Sequence, residues 1–545
     1  MPTIPSILSG SLPPAAGPFS VGYLTLTHAP LANQGFVLSS PTIDTRKPSN
    51  KVVYGSHNAP PFQRGEGEEG ATHGEWKGWE QGHVPALGLR RVEYSVYYPC
   101  ETPKGWFGRD AAPGGVGWLP RFMNDSSWLR AAFPVLKVLG GRLTIPVYPL
   151  AKPLETVQLP PTTTPGSPGS TTTPPLVIFS HGLAGTHLTY SHVCSALASR
   201  GYVVLSISHQ DGSGPVASIP PSGGGSCGLW AERGGVVRQR KQDGAVEGRD
   251  GKGKGVGKVL RGADEVIKGD ESTTGGNFKL SYLRYNELDW SPDPQPDVMT
   301  LRSLQLDIRV HELYATYRSF HTLATHGAST LPSGLTITAA GTTMVSSEAT
   351  EWLDKHFGGG KVDTASVDLV GHSFGGGTLL YALEREVPEG EEKLPVRKAV
   401  ALDPWVDPLP MPAPIKSEKD KPDVPIFVIN SPRFTLWSTH FNRLKRLIKQ
   451  SHGTLVTLLG AGHETFSDFP FLWQPRAAYT LLTTVDELVY AFLRGEVRSY
   501  DKVRGKAVDG GVVRTTTVDK AGKETGKQEM VGEWGDVVVH ELGRE

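Results

Sequence analysis

The run Val367–Gly377, VDLVGHSFGGG, admits few three-dimensional readings. A short apolar stretch ends in Gly371-His372-Ser373-Phe374-Gly375, and a helix-forming stretch, Thr378–Glu384, follows at once. Strand, sharp turn and helix in that order make a nucleophile elbow. The two arms of such a turn nearly touch, so Gly371 and Gly375 flank Ser373 where a Cβ would collide. The turn lifts the Ser373 hydroxyl above the sheet edge. The helix behind it aims backbone N–H groups at any anion formed there. Gly-x-Ser-x-Gly alone is a frequent chance match; the flanking strand and helix are what make it informative.

The rest of the composition limits the alternatives. A chain of 545 residues suggests about three domains by length, but its 65 glycines and 44 prolines gather in a few segments that read as loops and insertions. Formal net charge is zero, which argues for no nucleic-acid partner. Cys100, Cys194 and Cys227 lack metal-ligand spacing and make no disulfide framework, as in a reducing compartment. The first residues carry neither a basic region nor a sustained apolar core, and no run approaches the ~18 apolar residues of a membrane span. A cytoplasmic protein is expected.

Along the chain, Gly17–Thr27 and Val92–Pro99 read as opening strands. Leu176–Ser180, a helix over Val193–Ser199 and Gly201–Ser208 form a βαβ unit of a parallel sheet. Thr300–Ala324 has the spacing of a long helix, and 325–350 reads as a Ser/Thr/Gly-rich connection leading to a short helix at Ala349–His356. After the elbow, Arg397–Asp403, Val424–Asn430 and Gly453–Leu459 are strands, and Ala477–Leu493 is a closing helix. Segments 40–85 and 152–175 read as loops. Segment 212–290 is a Gly-rich basic insertion, and 497–545 a polar tail with room for one hairpin. Trp118–Leu139 interleaves Trp118, Phe122, Trp128, Leu129 and Phe133 with Arg121, Arg130 and Lys137. Two readings fit: helices that cover the sheet, or a patch that dips into lipid headgroups. The residues themselves favour the cover.

Three chemistry-bearing residues each follow a strand, in the order Ser373, Asp403, His463. That is the chain order of α/β hydrolases, and active groups in open α/β sheets gather at carboxyl ends of strands. Histidine would take the serine's proton, and the carboxylate would fix the imidazole tautomer. Asp368 lies too early in its strand to be the acid, and Asp407 too deep in a Pro-rich loop. His440 and His452 lack the Gly-rich loop that surrounds His463. His372 points away from Ser373 by alternation and is assigned to the packing around the substrate pocket. The oxyanion hole needs two backbone donors. Phe374 supplies one, and Leu183, after the close-approach Gly182, the other.

Leu176–Leu183 (LVIFSHGL), Val370–Gly376 (VGHSFGG), Ala401–Leu409 (ALDPWVDPL), Ile426–Ser431 (IFVINS) and the loop Gly462–Phe469 (GHETFSDF) resemble the plasma-type and type II platelet-activating factor acetylhydrolases, the group VII phospholipases A2. The resemblance covers most of 17–495 between insertions. It implies an α/β hydrolase fold with a central, mostly parallel sheet flanked by helices. It also implies calcium-independent hydrolysis of a short or oxidised sn-2 acyl chain from a glycerophospholipid, with no cofactor and no metal. By resemblance Ser373, Asp403 and His463 are the triad, Leu183 and Phe374 the oxyanion donors, and Trp405 a neighbour of the acyl pocket. The resemblance also turns Trp118–Leu139 into the expected peripheral membrane contact. Asp407 and Pro408 depart from the family's apolar pattern after its Trp, and the insertions can reshape access, so acyl and headgroup preference stay open. A general carboxylesterase or short-chain lipase is the alternative, and a catalytically silent scaffold used for binding a further one.

Overall fold

The computed structural model describes residues 10–31, 91–105, 109–118, 143–159, 170–214, 297–332, 334–411, 424–449, 451, 453–496 and 527–540, with short stretches at 36–37, 42–44, 83–85, 87–89, 216–219, 278–281, 283, 288, 513–516 and 542. The centre is one large mixed sheet. Its strands in chain order are β1 (Ser20–His28), β2 (Val92–Cys100), β3 (Pro175–Ser180), β4 (Val203–Ile207), β5 (Thr336–Ala339), β6 (Thr342–Val345), β7 (Asp363–His372), β8 (Val396–Leu402), β9 (Ile426–Asn430), β10 (Thr454–Leu458) and β11 (Val537–His540). Across the sheet they run β6-β5-β1-β2-β4-β3-β7-β8-β9-β10-β11, with Tyr148–Pro149 pairing on β1.

The six strands from β4 to β10 in that spatial order are parallel. Both wings are antiparallel: β6 with β5, β5 with β1, β1 with β2, β2 with β4, and β11 with β10. The expectation of a mostly parallel sheet therefore holds for the centre and not for the edges. Parallel strands are covered by helices on both faces, so they read as unbroken apolar runs. Leu176, Val177, Ile178 and Phe179 of β3 are all fully buried, as are Leu369 and Val370 of β7.

Two edge elements escape the sequence reading. The connection at 325–350 contains the β5–β6 hairpin, and the tail at 497–545 contributes β11 to the sheet besides a hairpin of the kind expected there, Val513–Thr516 with Lys527–Met530. The basic insertion is closed at its base by antiparallel pairing of Val216–Ile219 with Phe278–Ser281, and most of it lies outside the described residues.

The helices are α1 (Ser191–Ala198), α2 (Val298–His326), α3 (Ser346–His356), α4 (Phe374–Glu384), α5 (Pro432–Leu436), α6 (Ser438–Lys449) and α7 (Pro475–Arg494). The long α2 starts at Asp297, whose side chain accepts from the Thr300 N–H at 2.7 Å, and it stops at Gly327, whose φ of 91° no ordinary residue adopts easily. Its buried side is not purely apolar. Gln305, Arg309, Glu312, Thr316 and Ser319 are buried beside Leu306, Val310, Leu313 and Phe320. Ser319 meets β1 and β2: it is 2.6 Å from His28 Nε2 and 2.9 Å from the Tyr94 hydroxyl. His28 donates through Nδ1 to the Ala29 carbonyl. Its Nε2 therefore accepts, and the ring is neutral.

Burial lowers His28 from its ordinary value to about 4. Between that value and about 6.5 the unfolded chain binds a proton that the folded chain refuses, so stability rises with pH across this window and is lost as pH falls through it. Unfolding free energy measured by urea titration at pH 7, 6, 5 and 4.5 should fall more steeply in wild type than in His28→Asn. The excess slope is up to ~1.4 kcal/mol per pH unit; equal slopes would refute the assignment.

Candidate active site

The elbow forms as the glycine pattern requires. Ser373 adopts φ 55°, ψ −119°, a strained conformation for a residue with a side chain. Its own peptide groups are pinned: its N–H donates to the Leu402 carbonyl, and its carbonyl accepts from Gly377 and Trp405, each at 2.9 Å. A Cβ on Gly371 would lie 2.7 Å from the Gly375 carbonyl oxygen, as expected for the two arms of the turn. Gly375 is excluded by a different neighbour, since its Cβ would stand 2.0 Å from the Ser180 carbonyl at the end of β3.

Ser373, Asp403 and His463 follow β7, β8 and β10 and meet at the carboxyl ends of these parallel strands. His463 Nε2 is 2.9 Å from Ser373 Oγ, and His463 Nδ1 is 2.7 Å from Asp403 Oδ2. The Asp403 carboxylate, which accepts from Ser431, accepts here too, so Nδ1 carries the proton and Nε2 accepts from the serine. Asp403 is fully buried and also adopts a positive φ, 43°. Its carboxylate accepts from the Ser431 N–H at 2.7 Å and from the Ser431 hydroxyl at 2.8 Å. The competing acid Asp368 is committed elsewhere, to Arg397. His440 is buried and accepts from the Val406 N–H at 3.3 Å, and His452 lies outside the described residues.

Phe374 opens α4, where an N–H has no partner within the helix. The Gly182–Leu183 loop presses on the nucleophile: a Cβ on Gly182 would come within 2.9 Å of Ser373 Cβ. Trp405 is half-buried, with its ring centroid 5.8 Å from that of Phe374. Phe434 stacks flat on the His463 ring at 4.5 Å.

The structure corrects one expectation and adds to another. Trp118 does not face lipid: it is wholly buried, and its indole N–H donates to Asp468 Oδ2 at 3.1 Å. An interleaved apolar and basic pattern does not say which Trp turns inward to a buried acid. Phe122, Trp128, Leu129 and Phe133 lie outside the described residues. His372 is buried, and both its ring nitrogens are engaged. Its Nε2 donates to the His463 carbonyl at 2.9 Å, and its Nδ1 accepts from the Tyr190 hydroxyl at 2.8 Å. Tyr190 in turn accepts from the Gly182 N–H at 3.1 Å. One unbroken chain thus runs from the Gly182 loop to the backbone of His463. Burial, and then the neighbouring His463, push His372 well below its ordinary value, which keeps it neutral and in this tautomer.

Asp468, in the histidine loop, is a second link. Besides Trp118 it accepts from the Ser191 N–H and hydroxyl at 2.8 and 2.6 Å and from the His192 N–H at 3.0 Å, capping the start of α1. Sequence reasoning gave Tyr190, Ser431 and Asp468 no role, although Ser431 and Asp468 sit in two of the motifs it used. Tyr190 carries no local signal. Among the described residues no group of three or more His, Cys, Asp or Glu comes together as a metal site, and no helix is long and apolar enough to cross a membrane.

A parallel-centred sheet, a strained serine directly after the parallel strand β7, and an acid and a histidine after the later parallel strands β8 and β10 define the α/β-hydrolase class. Within that class, the model of the family "Platelet-activating factor acetylhydrolase, isoform II" matches residues 159–219 and 344–486, which contain all three residues of the relay. Over these residues the chain is similar to that family. It is 23% identical over 300 residues to the platelet-activating factor acetylhydrolase of Gallus gallus, covering 55% of this chain and 53% of the relative. It is 25% identical over 302 residues to that of Canis lupus familiaris, covering 54% and 49%. The chain thus spans about half the length of these relatives. Among solved structures it is similar to a ferulic acid esterase from Streptomyces cinnamoneus, at 14% identity and a TM-score of 0.40, covering 89% of this chain and 91% of that one.

The Gly182–Tyr190–His372–His463 chain gives a direct test. Tyr190→Phe removes one hydroxyl and leaves two buried polar groups without partners, which should lower unfolding free energy by ~1–3 kcal/mol. Urea denaturation at pH 7 measures it, and an unchanged midpoint would mean that water replaces the hydroxyl.

Proposed function

We propose that this chain is a calcium-independent serine esterase that removes short or oxidised sn-2 acyl groups from glycerophospholipids. The observation that carries the reading is the closed relay from Asp403 through His463 to Ser373, inside the segment that matches the acetylhydrolase family model. In this reading, His463 takes the Ser373 proton as Oγ attacks the ester carbonyl. Asp403, held by Ser431, stabilises the imidazolium without taking its proton. The Leu183 and Phe374 N–H groups receive the oxyanion, each worth roughly 3–4 kcal/mol of transition-state stabilisation. His463 then protonates the departing lysophospholipid oxygen. Water, deprotonated by the same histidine, releases the acyl group and restores Ser373.

The catalytic unit is the segment 17–495, completed at one sheet edge by β11. Trp405, packed on Phe374, lines the acyl pocket. The protein works in the cytoplasm and meets its substrate at a membrane surface. Cys100 and Cys194, both free and buried, suit a reducing compartment. Membrane contact runs through Phe122, Trp128, Leu129 and Phe133. Trp437 and Trp473, 44% and 50% exposed on the segments around His463, supply further interfacial aromatics.

Initial rates with calcium chelated separate this reading from a general carboxylesterase. The substrates are 2-acetyl phosphatidylcholine, 2-palmitoyl phosphatidylcholine and p-nitrophenyl acetate. Wild type should prefer the acetyl phospholipid to the palmitoyl one, and Ser373→Ala should lose at least ~10⁴-fold. Cleavage of the p-nitrophenyl ester alone would leave only the general esterase. Failure of Ser373 to take a fluorophosphonate label would leave only a binding scaffold.

Membrane contact is tested apart from catalysis. Trp128→Asp with Phe133→Asp should reduce co-sedimentation with phosphatidylcholine vesicles several-fold while hydrolysis of p-nitrophenyl acetate stays within twofold. Unchanged co-sedimentation would remove these residues from the contact.

A further inference from the structure

Arg309 stands in the middle of α2, wholly buried, and every face of its guanidinium is engaged. Its Nε donates to Asp211 Oδ2 at 2.8 Å, its Nη1 to the His181 carbonyl at 2.6 Å and its Nη2 to the Ser213 hydroxyl at 2.5 Å. Its carbon lies 4.6 Å from the centroid of the Phe374 ring. One side chain therefore touches both arms that carry the expected oxyanion donors, the loop of Leu183 and the residue Phe374.

The loop arm is held around a single peptide. The His181 carbonyl is fixed by Arg309. The Ala184 N–H donates to the Ser213 carbonyl at 2.8 Å, and Ser213 is itself tied to Asp211 through its N–H at 3.0 Å. Between these anchors, the Gly182 carbonyl accepts from the Gly185 N–H at 3.1 Å and from His181 Nδ1 at 2.8 Å. In a trans peptide the carbonyl and the following N–H point opposite ways. With the Gly182 oxygen turned toward Gly185 and His181, the Leu183 N–H is left on the opposite side. Gly182 already lies against Ser373 Cβ.

The charge pair with Asp211 uses only one of the three N–H directions. The other two directions, and the ring face, serve the loop and Phe374. We propose that Arg309 is a positioning residue for the esterase reaction: it presets the oxyanion hole by clamping the His181–Leu183 loop and Phe374 to one rigid fork. This rests on the hydrolase reading above. Preorganised donors act because they need no reorganisation as charge develops. A planar fork fixes two partners and a ring at once, which an ammonium does not.

The test compares wild type with Arg309→Lys, which keeps a positive charge for Asp211 and loses the fork. Folding is checked by near-UV circular dichroism. The readouts are kcat and KM on p-nitrophenyl acetate, and inhibition by a trifluoromethyl ketone, whose tetrahedral adduct carries the oxyanion. The expected result is a loss in kcat on the order of 10²-fold, with KM within threefold and ketone affinity falling in parallel with kcat/KM. A folded variant with wild-type kcat overturns the proposal. So does a loss of kcat with ketone affinity unchanged, since that places the effect elsewhere. If Arg309→Lys does not fold, Ser213→Ala decides by the same criteria, because it frees Nη2 and leaves the charge pair intact; a smaller parallel loss is then expected. Wild type that takes no fluorophosphonate at Ser373 fails differently: it brings down the hydrolase reading, and the clamp with it.

Discussion

The strained backbone at Ser373 is the constraint that the surrounding structure exists to hold. A non-glycine residue at φ 55° and ψ −119° costs on the order of 1–3 kcal/mol and persists only where neighbours over-determine it. Here the neighbours are backbone groups. Leu402, Gly377 and Trp405 take up both polar groups of Ser373, so the turn relaxes only by breaking bonds to β8, to α4 and to the loop that follows Asp403. The same contacts explain why two glycines are obligatory by two different mechanisms. Gly371 faces its own turn, whereas Gly375 faces the end of β3. The second contact ties the elbow to the strand that carries the Gly182–Leu183 loop. Strain at one residue thus brings nucleophile and loop together.

Reaction geometry needs the two loops to stay in register with the elbow, and loops have no ladder to do this. Buried side chains supply the missing bonds. Tyr190 and His372 join the Gly182 N–H to the His463 carbonyl. Asp468 joins the histidine loop to α1, and Trp118 adds to the same carboxylate. Burial raises Asp468 above the ordinary carboxylate range while the bonds from Ser191 and His192 pull it back. Four donors around one acid can replace the water it lost. A neutral histidine and a buried, fully hydrogen-bonded acid therefore do structural work close to the triad, and neither needs to change protonation during turnover.

The centre of the fold was legible in the sequence because its signals are local. Each central parallel strand is a short apolar run followed by a residue of distinctive chemistry, and Ser373, Asp403 and His463 were found from that alone. The edges were not legible. The β5 and β6 strands, TITA and TTMV, are rich in Thr, and the apolar run of β11 is only three valines after a long polar stretch, so neither stands out as the central strands do. Trp118 was misread for another reason. A pattern says that a segment has an apolar side, while the burial of one Trp was decided by an acid 350 positions away. Tyr190, His372 and Arg309 share that difficulty, since their roles are defined by partners on distant segments.

Arg309 also shows why a long helix with a weakly amphipathic sequence packs so deeply. Placing an unpaired charge in a protein interior is strongly unfavourable, and even a paired one offsets little of its desolvation unless its remaining donors are satisfied. For Arg309 that condition is met by the His181 carbonyl and the Ser213 hydroxyl, and its neighbours on the same helix face bond the loop around Asp211. Gln305 donates to the Asp211 carbonyl at 2.8 Å, and Glu312 accepts from the Gln210 N–H at 2.6 Å and from His209. His209 is lowered well below its ordinary value, first by burial and then by Arg309 and His181. The polar stripe of α2 and the loop after β4 thus form one satisfied network behind the Gly182–Leu183 loop. Replacing that network with apolar side chains would fill the same space and would remove the bonds that orient the loop. Retaining it makes sense if orientation, rather than added stability, is what the interior of this helix supplies.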